Sequence, residues 1–176
     1  PKFMNINQQK NLLELFYNQF IKEKSDQIFL QSLKEPKQKF TWDETYHNIL
    51  KLADELELIM KNEDRCLLIS ENRPEWMISD LAIMLANGVT VPAYTTYVER
   101  DYEYIIDDCK PSVIIVSDKT QYDKIKNIIK FKTFIKSIIS FEDFENENRI
   151  ICIKDIFNKK EFKEKDLLNL KIKRKD

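Results

Sequence analysis

Between Arg65 and Ala93 two short apolar runs flank a helix-length segment that is apolar on nearly every side. No other feature restricts the fold so tightly. Arg65–Ser70 is almost wholly apolar, which suits a strand covered on both faces. The next segment carries Trp76, Met77, Ile78, Leu81, Ala82, Ile83, Leu85 and Ala86, and a helix with so little polar surface has to be buried. Val89–Ala93 reads as a second buried strand. Strand, helix, strand is a βαβ unit, which brings parallel pairing and a right-handed crossover. Asn72 is placed to cap the helix, and Pro74 falls in its first turn, where a missing N–H costs little. At the far end Gly88, the chain's only glycine, follows Asn87 and is expected to adopt the left-handed backbone that closes many helices.

The rest of the chain agrees with this unit. Asn11–Lys24 has helical apolar spacing, and Gln27–Leu33 followed by a strand ending at Phe40 predicts a hairpin around Glu35-Pro36-Lys37. Thr41-Trp42-Asp43-Glu44 spells a capping box, opening a helix to about Met60 with Ile49, Leu52, Ala53, Leu56 and Ile59 on one stripe. Asn62–Asp64 is the turn out of it. Glu99–Cys109 and Asp118–Lys130 read as helices, and Val113–Ser117, Ile135–Ser140 and Arg149–Ile153 as strands. The acidic loop Glu142–Asn148 separates the last two, and a final helix is expected within Glu161–Leu170. Strands alternating with helices predict an α/β fold, a doubly wound and mostly parallel sheet with flanking helices.

Composition closes several functional classes. Lys and Arg total 29 against 30 Asp and Glu, a net charge of −1, so nothing argues for nucleic acid as a partner. The lysine-rich tail Lys154–Asp176 reads as a solvated helix face, with a lipid-contacting patch as the alternative. Cys66, Cys109 and Cys152 are widely spaced and odd in number, which points to buried reduced thiols rather than a disulfide framework. Pro1–Asn11 has no apolar segment of a signal peptide, and no run approaches the roughly 18 apolar residues of a membrane span. The expected location is the cytoplasm, with peripheral contact at a membrane.

Chemistry-bearing residues are sparse. His47, the only histidine, has no nucleophile and acid placed near it in sequence and reads as structural. Trp42 and Trp76 sit at helix starts and are expected to pack against strands, and Asp107-Asp108 reads as a solvated helix end, so no metal site is expected. A phosphate cradle needs several backbone N–H groups converging on one point, which requires glycines, and this chain has one. Two loops follow the carboxyl ends of buried strands, where open α/β sheets hold their ligands. Tyr94-Thr95-Thr96-Tyr97 offers hydroxyls and rings to a ligand edge, or is an ordinary turn with a capping Thr. Glu71-Asn72-Arg73 offers a similar edge, or a helix cap with a surface ion pair.

Four blocks occur in order: Phe40-Thr41-Trp42-Asp43-Glu44, Ser70-Glu71-Asn72-Arg73-Pro74-Glu75-Trp76, Asp80-Leu81-Ala82-Ile83 and Gly88-Val89-Thr90-Val91-Pro92-Ala93-Tyr94. In content and spacing they resemble the amino-terminal region of the long-chain fatty-acid–CoA ligases, within the adenylate-forming (AMP-binding) superfamily. Tyr104–Pro111, ahead of the strand at Val113, fits as well. The resemblance covers Asn11–Ser117 well and the remainder weakly. It implies that residues 1–176 are the amino-terminal portion of an AMP-binding domain, with the phosphate loop and carboxy-terminal domain past Asp176.

The family joins a fatty carboxylate to ATP, giving acyl-adenylate and pyrophosphate, and then passes the acyl group to the thiol of coenzyme A. The resemblance therefore implies ATP, Mg²⁺ and coenzyme A as cofactors of the full-length protein, with fatty acid and coenzyme A as partners. None is expected to bind these 176 residues alone, which are expected to be inactive. No catalytic residue carries over. Some members place the coenzyme A nucleotide near the loop that aligns with Tyr94–Tyr97, which makes Thr95, Thr96 and Tyr97 the candidate contacts. Those members have glycines where this chain has Thr-Thr. The turn Lys61–Asp64 also lacks the family's usual glycine. Two other readings stand beside this one: a stand-alone, non-catalytic α/β module for interaction or lipid sensing, and a relative acting on an aryl or short-chain acid.

Overall fold

The computed structural model describes residues 12–20, 22–145, 147 and 149–163. Helix α1 (Leu12–Phe20) buries Leu13 and Phe16, and strand β1 (Ile28–Gln31) pairs antiparallel with β2 (Lys39–Thr41) in the expected hairpin. The first helix is shorter than its apolar spacing suggested, because Lys22–Lys24 turn away after Phe20. Thr41 then caps α2 (Trp42–Glu57). Its hydroxyl accepts from the Glu44 N–H at 3.0 Å, and the Glu44 carboxylate accepts from the Thr41 N–H at 3.3 Å. Trp42 stacks on Phe29 with ring centres 3.7 Å apart, which ties the hairpin to the helix.

Beyond this the chain alternates strictly: β3 (Arg65–Ile69), α3 (Pro74–Leu85), β4 (Val89–Ala93), α4 (Glu99–Cys109), β5 (Val113–Val116) and α5 (Lys119–Ile129). It ends in β6 (Ser137–Ser140), β7 (Ile150–Cys152) and the short α6 (Ile153–Phe157). The five strands form one parallel sheet in the order β4-β3-β5-β6-β7. Cys66, Leu68, Val113, Ile115 and Ile139 point to one face, under α1, α2, α3 and α6. Leu67, Ile69, Ile114 and Val116 point to the other, under Tyr102 and Ile106 of α4 and Ile125 of α5. The sheet is doubly wound, and each fully buried Leu or Ile contributes roughly 1.5–3 kcal/mol.

Some local expectations are corrected. Strand β4 is an edge strand with only β3 as a neighbour, and Val89 on it is exposed. That position explains Pro92, which has no N–H for a second partner. Asn87, at φ 59°, takes the left-handed conformation at the end of α3, and Gly88 does not. The Gly88 N–H closes the helix on the Ile83 carbonyl at 2.9 Å, while Asn87 N–H reaches Met84 at 3.0 Å. Room is tight at 88: a Cβ there would lie 2.4 Å from the flexible end of Met60, which would have to swing aside, and 3.3 Å from the Asp64 carbonyl. Asn72 does not cap α3; Arg73 occupies the cap position, without a side-chain bond to the helix. Glu63, in the turn lacking the family's glycine, sits at φ 65°. Helix α6 begins at Ile153, where the apolar run read as continuing strand. Of the helix expected within Glu161–Leu170, Glu161–Lys163 are irregular and the rest lies outside the described residues.

Candidate functional site

All five strands deliver their carboxyl ends to one edge of the sheet, and the strand order reverses between β3 and β5. Crevices for ligands form at such reversals. A cleft of about 440 Å³ opens at the same carboxyl edge, one strand away from that reversal, between the ends of β3 and β4. Ser70, Glu71, Asn72 and Trp76 line one side; Tyr94, Thr95 and Thr96 line the other. Of the three residues singled out from the sequence, Thr95 and Thr96 thus face the cleft. Tyr97 lies behind them, half-buried against the second core, its ring 5.9 Å from that of Tyr102.

The Tyr94–Val98 loop is held through its backbone. Tyr102 Oη donates to the Tyr94 carbonyl at 2.5 Å, and Lys124 Nζ donates to the Thr95 and Tyr97 carbonyls at 2.5 and 3.3 Å. Burial, helped by Asp101 and Tyr97, pushes the Tyr102 phenol up to about 12, so it remains a donor at neutral pH. The helix that follows is capped by Asp101, whose carboxylate accepts from the Val98 N–H at 3.1 Å, and not by a threonine. Neither Tyr102 nor Lys124 carried a sequence signal, because each reaches the loop from a helix packed beneath it.

The Ser70–Arg73 loop is held by charge. Arg73 forks onto Glu75, with Nε to Oε2 at 2.7 Å and Nη2 to Oε1 at 3.4 Å. Its Nη1 also reaches Glu142 at 3.0 Å and Glu71 at 3.5 Å, and the guanidinium stands 5.4 Å over the Phe141 ring. Burial on its own would lower the Arg73 pKa; the bond and charge of Glu75, with Glu142 and Glu71, outweigh it and raise the pKa. Instead of a surface ion pair this is a half-sunk network, in which the Glu75 side chain is only 4% exposed. It ties the end of β3 to the end of β6 across β5. Glu142 is 69 residues from Arg73, too far for any local pattern to show.

A second cleft, of about 610 Å³, lies between the hairpin, α2 and α6. His47 stands in it with Nδ1 3.1 Å from Asp43 Oδ2 and its ring edge-on to Phe162. Lys51 beside it donates to the Phe157 carbonyl at 2.8 Å. Among the described residues no Ser or Cys lines this cleft. Cys66 and Cys152 are buried, with burial pushing the Cys66 thiol up, whereas Cys109 is only half-buried.

The described residues do not fit a nucleotide phosphate. The N–H of the single glycine is committed to Ile83. The helices that start at the carboxyl edge carry their own acids: Glu75 in the first turn of α3, Asp101 capping α4, and Asp118 accepting from the Gln121 N–H at 3.0 Å. Such ends repel an anion rather than attract one. Among the described residues no group of three or more His, Cys, Asp or Glu could hold a metal ion, and no helix is long and apolar enough to cross a membrane.

Comparison with known proteins agrees with this architecture. A solved structure of anthranilate CoA ligase AuaEII in complex with anthranoyl-AMP superposes with a TM-score of 0.73 at 17% identity, over 85% of this chain and 28% of that one. A putative long-chain-fatty-acid CoA ligase from Rhodopseudomonas palustris gives 0.70 at 15% identity, over 89% of this chain and 38% of that one. At these identities the likeness concerns the fold. In sequence, the chain is 28% identical over 110 residues to Long chain acyl-CoA synthetase 4 of Arabidopsis thaliana, covering 62% of this chain and 16% of the relative. It is 30% identical over 88 residues to a long-chain-fatty-acid–CoA ligase of Homo sapiens, covering 50% of this chain and 12% of the relative. The chain thus spans less than a fifth of the length of these curated relatives. The model of the AMP-binding enzyme family matches residues 17–169, and the chain belongs to that family.

Proposed function

We propose that the chain is the amino-terminal part of an ATP-dependent ligase that activates a long-chain fatty acid as its acyl-adenylate and transfers it to coenzyme A. The observation that carries this reading is the family match over residues 17–169, together with relatives named for long-chain acids. Adenylation converts a carboxylate, a poor acyl donor, into a mixed anhydride whose leaving group is AMP, and the thiol of coenzyme A then displaces AMP. The groups that hold ATP and Mg²⁺ we assign to sequence past Asp176, because the residues described above present no cradle for them. The chain's own contribution is scaffold plus one wall of a cleft: Thr95 and Thr96, backed by Tyr97, on the coenzyme A side. Residues 1–176 alone are then inactive, and the protein works in the cytoplasm with peripheral contact at a membrane.

Pyrophosphate release by the full-length protein across acids of varied length tests the assignment. Palmitate should outrun acetate and benzoate. The reverse order would move the protein to another branch of the family. A stand-alone, non-catalytic module is the second reading, and the acid-capped helix ends favour it. A full-length protein that releases no pyrophosphate with any acid, while the 176-residue chain captures a partner, would establish that reading instead.

A further inference from the structure

The edge of the sheet opposite the cleft has a different character. Here α5 ends and β6 and β7 begin, and a depression of about 450 Å³ is lined by Lys126, Lys130, Lys132, Lys136 and Arg149. Its floor is apolar, with Ile129, Ile135 and Ile138 among the lining residues. Phe131 stands out from the connecting loop, 84% exposed, with the Lys130 ammonium 5.4 Å from its ring centre. Asp107 and Asp123 pair with Lys132 and Lys126, and Glu147 interacts with Tyr122 on the rim. Lys130 and Lys136 have no acid partner among the described residues. A chain of net charge −1 has gathered five cations along one depression, and Lys130 of that group also stands over the exposed Phe131 ring.

We propose that this edge is a docking surface for an anionic lipid bilayer, with Phe131 entering the headgroup region and Lys130, Lys136 and Arg149 lying on the phosphates. Two unpaired lysines, one of them beside a protruding apolar ring, suit an interface that is charged at its surface and apolar just beneath. A nucleic acid would want a longer basic stripe than this depression offers. The orientation is also productive. With the amino ends of β6 and β7 on the bilayer, the Thr95–Thr96 cleft at the opposite edge faces water, where a soluble cosubstrate arrives. The proposal deepens the ligase reading, since a long-chain acid partitions into bilayers, but vesicle binding requires no ATP, acid or coenzyme A and so stands or falls separately.

The test is co-sedimentation of the chain with vesicles of phosphatidylcholine alone and with about 30% phosphatidylserine, at 0.1 M and 0.5 M salt. Binding should require the anionic lipid and weaken at high salt. Each cation near such a surface is worth on the order of fivefold in affinity, so Lys130→Glu with Lys136→Glu should lower binding at least about 25-fold. Phe131→Ser should lower it about tenfold. All these positions are on the surface, and an unchanged melting curve shows that the variants fold. The tail supplies the control: Lys171→Glu with Lys173→Glu should leave most of the binding intact. Equal binding to both vesicle types overturns the proposal, as does loss of binding in the tail variant alone. Tighter capture of a single-stranded oligonucleotide, abolished by the Lys130 and Lys136 reversals, would make the surface a nucleic-acid one and overturn it too.

Discussion

Two loops leave the carboxyl edge of the sheet side by side, and they are fastened by opposite chemistry. The loop after β3 is held by its side chains, with Arg73 gripping Glu75, Glu142 and Glu71. The loop after β4 is held by its backbone, with Tyr102 and Lys124 donating to the carbonyls of Tyr94, Thr95 and Tyr97. A loop pinned by its own charged groups has committed the residues that could have met a ligand. A loop pinned through its carbonyls keeps its side chains free. Of the two walls of the cleft, the threonine wall keeps two hydroxyls uncommitted, and on the charged wall the Asn72 carboxamide stays outside the network.

The largest effect should come from breaking the charged loop. Arg73→Ala leaves Glu75 buried without its counter-ion, and losing one partner of such a pair costs about 3–5 kcal/mol. Urea unfolding of the 176-residue chain measures this. Arg73→Lys should recover little, since an ammonium cannot fork onto both Glu75 oxygens. Removing both partners as Arg73→Met with Glu75→Leu should cost much less than Arg73→Ala alone. A loss below about 1 kcal/mol for Arg73→Ala would mean that packing on Phe141, and not charge, holds this loop.

Breaking the backbone-held loop should cost less and act locally. Lys124→Met removes charged donors from two carbonyls, worth about 1–2 kcal/mol at a half-buried site. The sharper readout is hydrogen exchange, which should quicken about tenfold in peptides spanning Tyr94–Val98 and stay unchanged in β5. Arg73→Ala should instead quicken exchange around both Ser70–Arg73 and Phe141–Asp143. If Lys124→Met leaves the Tyr94–Val98 amides as slow as before, the loop is ordered by something other than these donors.

Tyr102→Phe should be milder, about 0.5–1.5 kcal/mol at neutral pH, for one donated bond. Its pH dependence carries a definite sign. Burial raises the Tyr102 pKa from 10 in the unfolded chain to about 12 in the fold. Stability from this group is whole below about pH 10 and is lost as pH climbs towards 12, because only the unfolded state readily gives up the proton. Wild type should therefore lose more stability than Tyr102→Phe across that window. Parallel curves would mean that the phenol is not buried as described.

What the sequence disclosed follows the reach of each interaction. The capping box of α2 was legible because Thr41 and Glu44 answer each other within one turn. The parallel sheet was legible because an apolar-all-round helix between apolar runs leaves few alternatives. Gly88 was located correctly as a helix end but given the wrong duty. The tight space around its Cα comes from Met60 and the Asp64 carbonyl, which only the fold brings near. The edge position of β4 was hidden because strand order is not written in any strand. Lys124 was hidden for a related reason, since a helical lysine facing two distant carbonyls reads as a solvated one. At the cleft, therefore, the threonines could be picked out and the groups that aim them could not.

The smallest effect on stability belongs to the residues expected to matter most for function. Thr95→Val and Thr96→Val keep the branched shape and remove only hydroxyls for which the described fold shows no use, so each should shift stability by no more than about 0.5 kcal/mol. If the full-length protein is the proposed ligase, the pair should nevertheless raise KM for coenzyme A about tenfold, the worth of one or two hydrogen bonds to a ligand, and leave pyrophosphate release from ATP and acid nearly untouched. Adding Lys124→Met should then raise KM little further, since a loop without its hydroxyls gains nothing from being aimed. If the valines destabilise the chain by more than about 1 kcal/mol, they act within the fold, and the contrast between the two loops disappears. If they are neutral for both stability and coenzyme A, the backbone-held loop is free but unused, and the ligand edge must be sought among the residues that continue from β7.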